Sequence, residues 1–116
     1  MRIGIPAETR AGETRVAATP ETVKKILASG HAVMVQVGAG AGASIPDAEY
    51  QAAGAKLVSA AEVYTQAEIV LKVKAPTATE LAQVPANTVL IGLISPYQAD
   101  LIAAYARQGI TAFAME

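Results

Sequence analysis

The chain has no cysteine, a single histidine, no block of like charge and no long apolar run. The missing cysteine excludes disulfide staples and thiol catalysis. His31 is the only imidazole. It follows a glycine at the start of a strand-like run and reads as a surface or turn-capping residue. No Ser/His/Asp arrangement can be assembled around it. A metal site would have to be built from carboxylates alone, and no Asp/Glu cluster has ligand spacing, so no metal is expected. Nine basic and ten acidic residues give a net charge of −1 without clustering. Electrostatics therefore gives no reason to expect nucleic acid or an anionic membrane as partner. No apolar stretch reaches the about 18 residues that a bilayer-spanning helix needs. The opening Met1-Arg2-Ile3-Gly4-Ile5-Pro6 is too short in its apolar run for a signal peptide and reads as a strand. The expected compartment is the cytoplasm.

What is abundant is small apolar side chain. Hydrophobic residues make up 53% of 116 residues, much of it alanine. That length fits one domain, and a chain of this size buries roughly two thirds of its unfolded surface, enough for a core without staples. So apolar a composition also leaves surface that a partner domain would cover.

Strand signals alternate with helical ones. Apolar or β-branched runs at Arg2–Pro6, His31–Val37, Glu68–Val73, Thr88–Ile94 and Ile110–Met115 predict strands, with a further short one at Ala55–Val58. Near-continuous apolarity, rather than clean alternation, is the mark of strands buried on both faces. Thr19 as cap, Pro20 in the first turn and Glu21 at the positive dipole end predict a helix carrying Val23, Ile26 and Leu27 inward and stopping at Gly30. Asp47–Ala53 before Gly54, and Ala60–Gln66, predict two short helices. Ser95 and Gln98 fit a capping box for a helix with Leu101, Ile102 and Tyr105 inward, ended by Gly109. Strand–helix–strand repetition implies a parallel sheet. The chain closes near the carboxyl end of its last strand, where ligand-binding loops of such sheets begin.

Three constellations have chemical potential. The loop Glu8-Thr9-Arg10-Ala11-Gly12-Glu13-Thr14-Arg15 follows the first strand. Arginines there can hold a carboxylate or phosphate bidentately. Alternatively, Arg10 and Arg15 pair with Glu8 and Glu13 in a solvated loop. Lys72 and Lys74 lie in a buried-looking strand, which is costly unless they are paired or face a cleft. Lys74 could meet Arg15 across a shared pocket, or both amines could snorkel to solvent. Finally, Gly38-Ala39-Gly40-Ala41-Gly42-Ala43 fits G-x-G-x-x-A with Glu62 downstream. A dinucleotide fingerprint should open directly into a helix, and Ser44-Ile45-Pro46-Asp47 delays it, so a plain glycine turn is favoured.

Taken together, Met1–Glu8, Glu13–Pro20, Val37–Gly40, Ala52–Ala55, Leu71–Pro76 and Ala112–Glu116 resemble, in order along the chain, the N-terminal domain of the alanine dehydrogenase / pyridine-nucleotide transhydrogenase family. The resemblance implies a three-layer α/β sandwich with a parallel sheet, flavodoxin-like or Rossmann-like. In alanine dehydrogenases the matching arginine and second lysine hold the substrate carboxylate and carbonyl, which would make Arg15 and Lys74 the substrate-cleft residues. Those enzymes also need a histidine where this chain has Ser95, and without it the general acid/base is missing. Ser95-Pro96-Tyr97-Gln98 is closer to the alpha subunit of proton-translocating NAD(P) transhydrogenase.

The resemblance then implies the first lobe of an NAD(H)-binding component, with NAD(H) bound mainly outside these residues. Expected partners are a second Rossmann lobe of the same chain, a membrane-embedded and NADP(H)-binding subunit, and a second copy in a homodimer. The parent would lie at the cytoplasmic side of the inner membrane, and the isolated segment would not transfer hydride. The other readings are the substrate lobe of an alanine dehydrogenase and a stand-alone flavodoxin-like binding module.

Overall fold

The computed structural model describes residues 1–94 and 98–115. Among the described residues six strands form one sheet: β1 (Arg2–Ile5), β2 (Ala32–Gln36), β3 (Lys56–Val58), β4 (Ile69–Lys74), β5 (Val89–Leu93) and β6 (Thr111–Ala114). They lie in the order β3-β2-β1-β4-β5-β6, and every pairing is parallel. That is the doubly wound Rossmann order rather than the 2-1-3-4-5 order of flavodoxin.

The helices are α1 (Pro20–Ala28), α2 (Asp47–Ala53), α3 (Ala60–Gln66), α4 (Ala78–Leu81) and α5 (Ala99–Gln108). The Thr19 hydroxyl accepts from the Thr22 N–H to cap α1. Ser59 with Glu62, and Thr77 with Glu80, close capping boxes on α3 and α4. Gly54 and Gly109 end α2 and α5 at φ of 105° and 72°, backbone that a side chain would strain. The proposed Ser95–Gln98 capping box falls on Ser95, outside the described residues. Where α5 is described it follows Gln98, whose side chain makes no capping bond. Its inward face is Leu101, Ala104 and Tyr105. Ile102, expected inward, is 39% exposed. At 100° per residue it falls outside the stripe that positions 101, 104 and 105 define.

The period-two alternation of the strands divides the core in two. Val33 and Val35 of β2 join Val23 of α1 and Tyr50 of α2 on one face. Met34, Val70 and Leu90 join Val63 and Tyr64 of α3, Leu81 of α4 and Tyr105 of α5 on the other. Gly4 lets α3 approach β1 closely, since an added Cβ would stand 2.8 Å from both the Ala67 Cβ and the Val63 carbonyl oxygen.

The layers are complete over only half of the sheet. Helices α1 and α2 lie over β2 and β3. Register places Leu71, Ile91 and Phe113 in one row on that same face, and Phe113 is 56% exposed. Among the described residues, no helix is long and apolar enough to cross a membrane.

Candidate functional site

The sheet order reverses between β1 and β4. Their following loops leave in opposite directions, which opens a crevice beyond the carboxyl ends. Pro6 ends β1 and the chain turns back over β4. In Arg10-Ala11-Gly12-Glu13 the Glu13 N–H donates to the Arg10 carbonyl at 3.1 Å, and Gly12 takes φ +80° in the third position. A type II turn needs that conformation there, and glycine supplies it.

The end of β4 carries an extra residue. Leu71 pairs with Ile91 and Lys74 with Leu93, so Lys72 and Val73 face Gly92 alone. An added Cβ on Gly92 would collide with the Lys72 carbonyl oxygen. The Glu8 carboxylate completes this bulge, accepting the Val73 N–H at 2.9 Å and the Lys74 N–H at 3.0 Å. Bulges re-aim side chains, and here the two lysines diverge in environment.

Lys72 is 1% exposed in its side chain, with Nζ 3.4 Å from Glu8 Oε1 and 3.5 Å from Glu80 Oε1. Glu80 in turn accepts the Thr9 hydroxyl at 2.7 Å and the Thr77 N–H at 2.9 Å. Burial pushes the Glu80 carboxyl up. The Thr77 and Thr9 hydrogen bonds and the Lys72 charge outweigh that and leave it below the ordinary carboxylate value. Burial first, and then the Glu80 carboxylate, push the Tyr64 phenol up. This is a satisfied buried clasp between β1, β4 and α4. Lys72 does not snorkel: it is the paired alternative.

Lys74 is exposed, and its amine has no hydrogen-bond or ion-pair partner among the described residues. It borders a cavity of about 240 Å³ with Arg10, Gly12 and Glu13, and one of about 230 Å³ with Arg10, Leu93, Gln98 and Leu101. Arg10 pairs with neither glutamate. It donates to the Ala75 and Pro76 carbonyls at 2.8 and 3.1 Å, strapping the loop after β4.

Arg15 does pair with Glu13, through Nε at 2.9 Å and Nη2 at 2.8 Å. The Glu13 carboxylate also accepts the Arg15 backbone N–H at 2.9 Å. The Arg15 side-chain and backbone hydrogen bonds, with the charges of Arg15 and Lys74 behind them, hold the Glu13 carboxyl at about 2 against an ordinary 4.5. Arg15 is thus held by Glu13, and Lys74 borders the cavity that Glu13 also lines.

The glycine run is a turn. A 3-10 segment occupies Ala41–Ala43, Ser44 follows at φ 62°, and α2 starts only at Asp47. A Cβ on Gly40 would meet Ile45 O at 2.6 Å and Tyr50 at 2.8 Å, so this glycine serves close packing within the protein. The Gly38 N–H is taken by Asp47 Oδ1 at 2.9 Å, and Glu62 is engaged with Ser59. The run therefore lacks the direct entry into a helix that a dinucleotide fingerprint has. Among the described residues no group of three His, Cys, Asp or Glu could hold a metal ion. His31 lies at the amino end of β2, with Nδ1 3.2 Å from the N-terminal amine.

Sequence reasoning missed Glu80 and the role of Glu8 in the bulge. Two signals pointed to them. Thr77-x-x-Glu80 is itself a capping box, and a lysine inside an apolar strand demands buried carboxylates.

The sequence model of the "Alanine dehydrogenase/PNT, N-terminal domain" family matches residues 4–116. The alanine dehydrogenase of Mycobacterium tuberculosis is 46% identical over 91 residues, covering 78% of this chain and 24% of that protein. An NAD(P) transhydrogenase subunit alpha protein of Rhodospirillum rubrum is 42% identical, covering 100% of this chain and 32% of its own. The chain therefore spans between about a quarter and a third of the length of these relatives. The crystal structure of transhydrogenase from Sinorhizobium meliloti superposes with a TM-score of 0.97 at 40% identity, over all of this chain and 35% of that one. An L-alanine dehydrogenase structure gives 0.93 at 34% identity, over 98% of this chain and 32% of that one. With the switch-point crevice and the Rossmann strand order, these similarities place the chain in the alanine dehydrogenase/transhydrogenase N-terminal domain family of oxidoreductases.

Proposed function

We propose that this chain is the first lobe of the NAD(H)-binding component of a proton-translocating NAD(P) transhydrogenase. Its parent would exchange hydride between NAD(H) and NADP(H). The observation that carries the choice is the position of the only imidazole. His31 stands at the amino end of β2 beside the N-terminus, while the cleft opens at the carboxyl ends of β1 and β4. No residue of this chain offers the cleft a histidine as general acid/base, which amino-acid oxidation would use and hydride exchange between nucleotides would not. The match to the Rhodospirillum transhydrogenase subunit along the whole chain supports the same reading.

The lobe supplies one wall, with Lys74 and Arg15 as its charged groups, and a second Rossmann lobe supplies the nucleotide fingerprint. The row ending at the exposed Phe113 suits coverage by further polypeptide. The remaining partners are a membrane-embedded, NADP(H)-binding subunit and a second copy of the component, which keep the lobe on the cytoplasmic face of the membrane. The deciding experiment is hydride transfer from NADH to an NADP⁺ analogue by the full-length parent. Turnover with no requirement for pyruvate or ammonium is expected. The isolated 116-residue chain should show none.

A second reading, the substrate lobe of an alanine dehydrogenase, is favoured by Lys74 at a cavity lined by Glu13, the carboxylate that Arg15 grips. NADH consumption by the parent that depends on both pyruvate and ammonium, lost in Arg15→Ala and Lys74→Ala, would replace the first reading with the second.

A further inference from the structure

In a regular strand Lys72 and Lys74 would share one face, because side chains alternate with period two. Lys72 lies buried on the Val70 side of β4, the side that α3, α4 and α5 cover. Lys74 does not follow it. After the extra residue Lys74 pairs with Leu93, two positions beyond the Ile91 that Leu71 faces. The bulge therefore transfers Lys74 to the Leu71–Ile91 face, and there it borders, with Leu93, the cavity of about 230 Å³.

A bulge leaves backbone N–H groups without ladder partners. Here the Val73 and Lys74 N–H groups each donate to one carboxylate oxygen of Glu8, at 2.9 and 3.0 Å. The Glu8 side chain is buried, and its Oε1 also lies 3.4 Å from Lys72 Nζ. One carboxylate thus matches both the unpaired backbone of the bulge and the lysine that the bulge leaves inside. Gly92 admits the bulge from the β5 side, where an added Cβ would collide with the Lys72 carbonyl oxygen.

We propose that Glu8 is a positioning residue for the nucleotide cleft: by holding the β4 bulge it turns Lys74 away from the core side and into the crevice wall. The inference rests on the reading of Lys74 as a cleft group of an NAD(H)-binding component, and it adds the residue through which that group is set. Glu8 acts only through Lys74. Glu8→Gln keeps the size of the side chain but presents an amide NH2 to one of the two N–H groups in place of an acceptor. Charge alone predicts the opposite sign, because removing a carboxylate near a cationic wall should tighten binding of an anionic nucleotide.

The test is a double-mutant cycle on the NADH affinity of the full-length parent, measured by calorimetry, with Glu8→Gln, Lys74→Met and the pair. Each single variant should bind NADH roughly tenfold more weakly, as loss of an orienting partner does at other preorganised sites. The pair should bind within about twofold of Lys74→Met alone, since with the ammonium gone Glu8 has nothing left to position. A merely structural Glu8 would weaken binding further whether or not Lys74 is present. Gly92→Ala disturbs the same bulge without touching a charge. It should behave as Glu8→Gln does in the same cycle, and it decides the matter where Glu8→Gln fails to fold. Unchanged or tighter NADH binding by Glu8→Gln, or losses that multiply in the pair, would overturn the proposal and leave Lys74 in the cleft. Wild-type affinity in Lys74→Met would overturn the cleft reading and the proposal together.

Discussion

Lys72 and Lys74 sit two positions apart on one strand, yet each belongs to a different kind of site. The first is sealed among Glu8, Glu80 and the Thr9–Thr77 hydrogen bonds, with 1% of its side chain exposed. The second is open, borders both strand-end cavities and has no partner among the described residues. A buried ammonium with its charges and lone pairs matched is structure, because any change leaves a desolvated charge behind. An exposed ammonium beside a cleft with spare donors is available for a ligand. Charge type and sequence position therefore do not assign a role here. The bulge and the Glu8 carboxylate do, by fixing which lysine ends up inside.

Breaking the clasp should have the largest effect. Lys72→Met leaves Glu8 and Glu80 buried without their cation, and should cost about 3–5 kcal/mol in urea denaturation. Gly92→Ala drives a methyl into the Lys72 carbonyl at the bulge and should cost about 1–3 kcal/mol, with the loss read from the same midpoint shift. Lys74→Met sharpens the contrast: stability should stay within about 0.5 kcal/mol of wild type, while the NADH affinity of the full-length parent falls.

The smallest effect separates Glu13 from the other carboxylates by pH. Its carboxyl sits at about 2 when folded against an ordinary 4.5. A depressed value means that the stabilisation is fully present above the unfolded value and is lost as pH falls from there toward 2. Glu62, Glu68 and Glu80 are depressed as well, so the acid limb persists in any single variant. Glu13→Gln should make that limb shallower between those two pH values, measured as thermal midpoint against pH.

Much of this architecture could be read from the chain because the informative signals are local. The Thr19-Pro20-Glu21 start, the Gly54 and Gly109 stops and the β-branched runs each act within a few residues. The plain turn at Gly38–Ala43 was legible for the same reason, since the delay to Asp47 is written in the sequence. Lys74 could be placed beside a cavity because its strand would end at that sheet edge, and the pairing of Arg15 with Glu13 was readable as one of two alternatives from their spacing.

What escaped depends on contacts across long separations. The extra residue at Lys72–Val73 exists only in the pairing of β4 with β5, and its completion by Glu8 spans 65 residues of chain. Arg10 looked like a partner for Glu8 or Glu13, but the fold offered it two carbonyls after β4 instead. Ile102 looked inward because it is apolar, while the crossing of α5 over the sheet places Ala104 there.

Whether Arg15 and Lys74 hold the same ligand can be measured by a double-mutant cycle on the NADH affinity of the full-length parent, using Arg15→Ala, Lys74→Ala and the pair. Two groups on one bound ligand should couple by about 0.5–3 kcal/mol. Free energies that add to within about 0.3 kcal/mol would mean that the two cations act at separate places, and the shared cleft would be wrong.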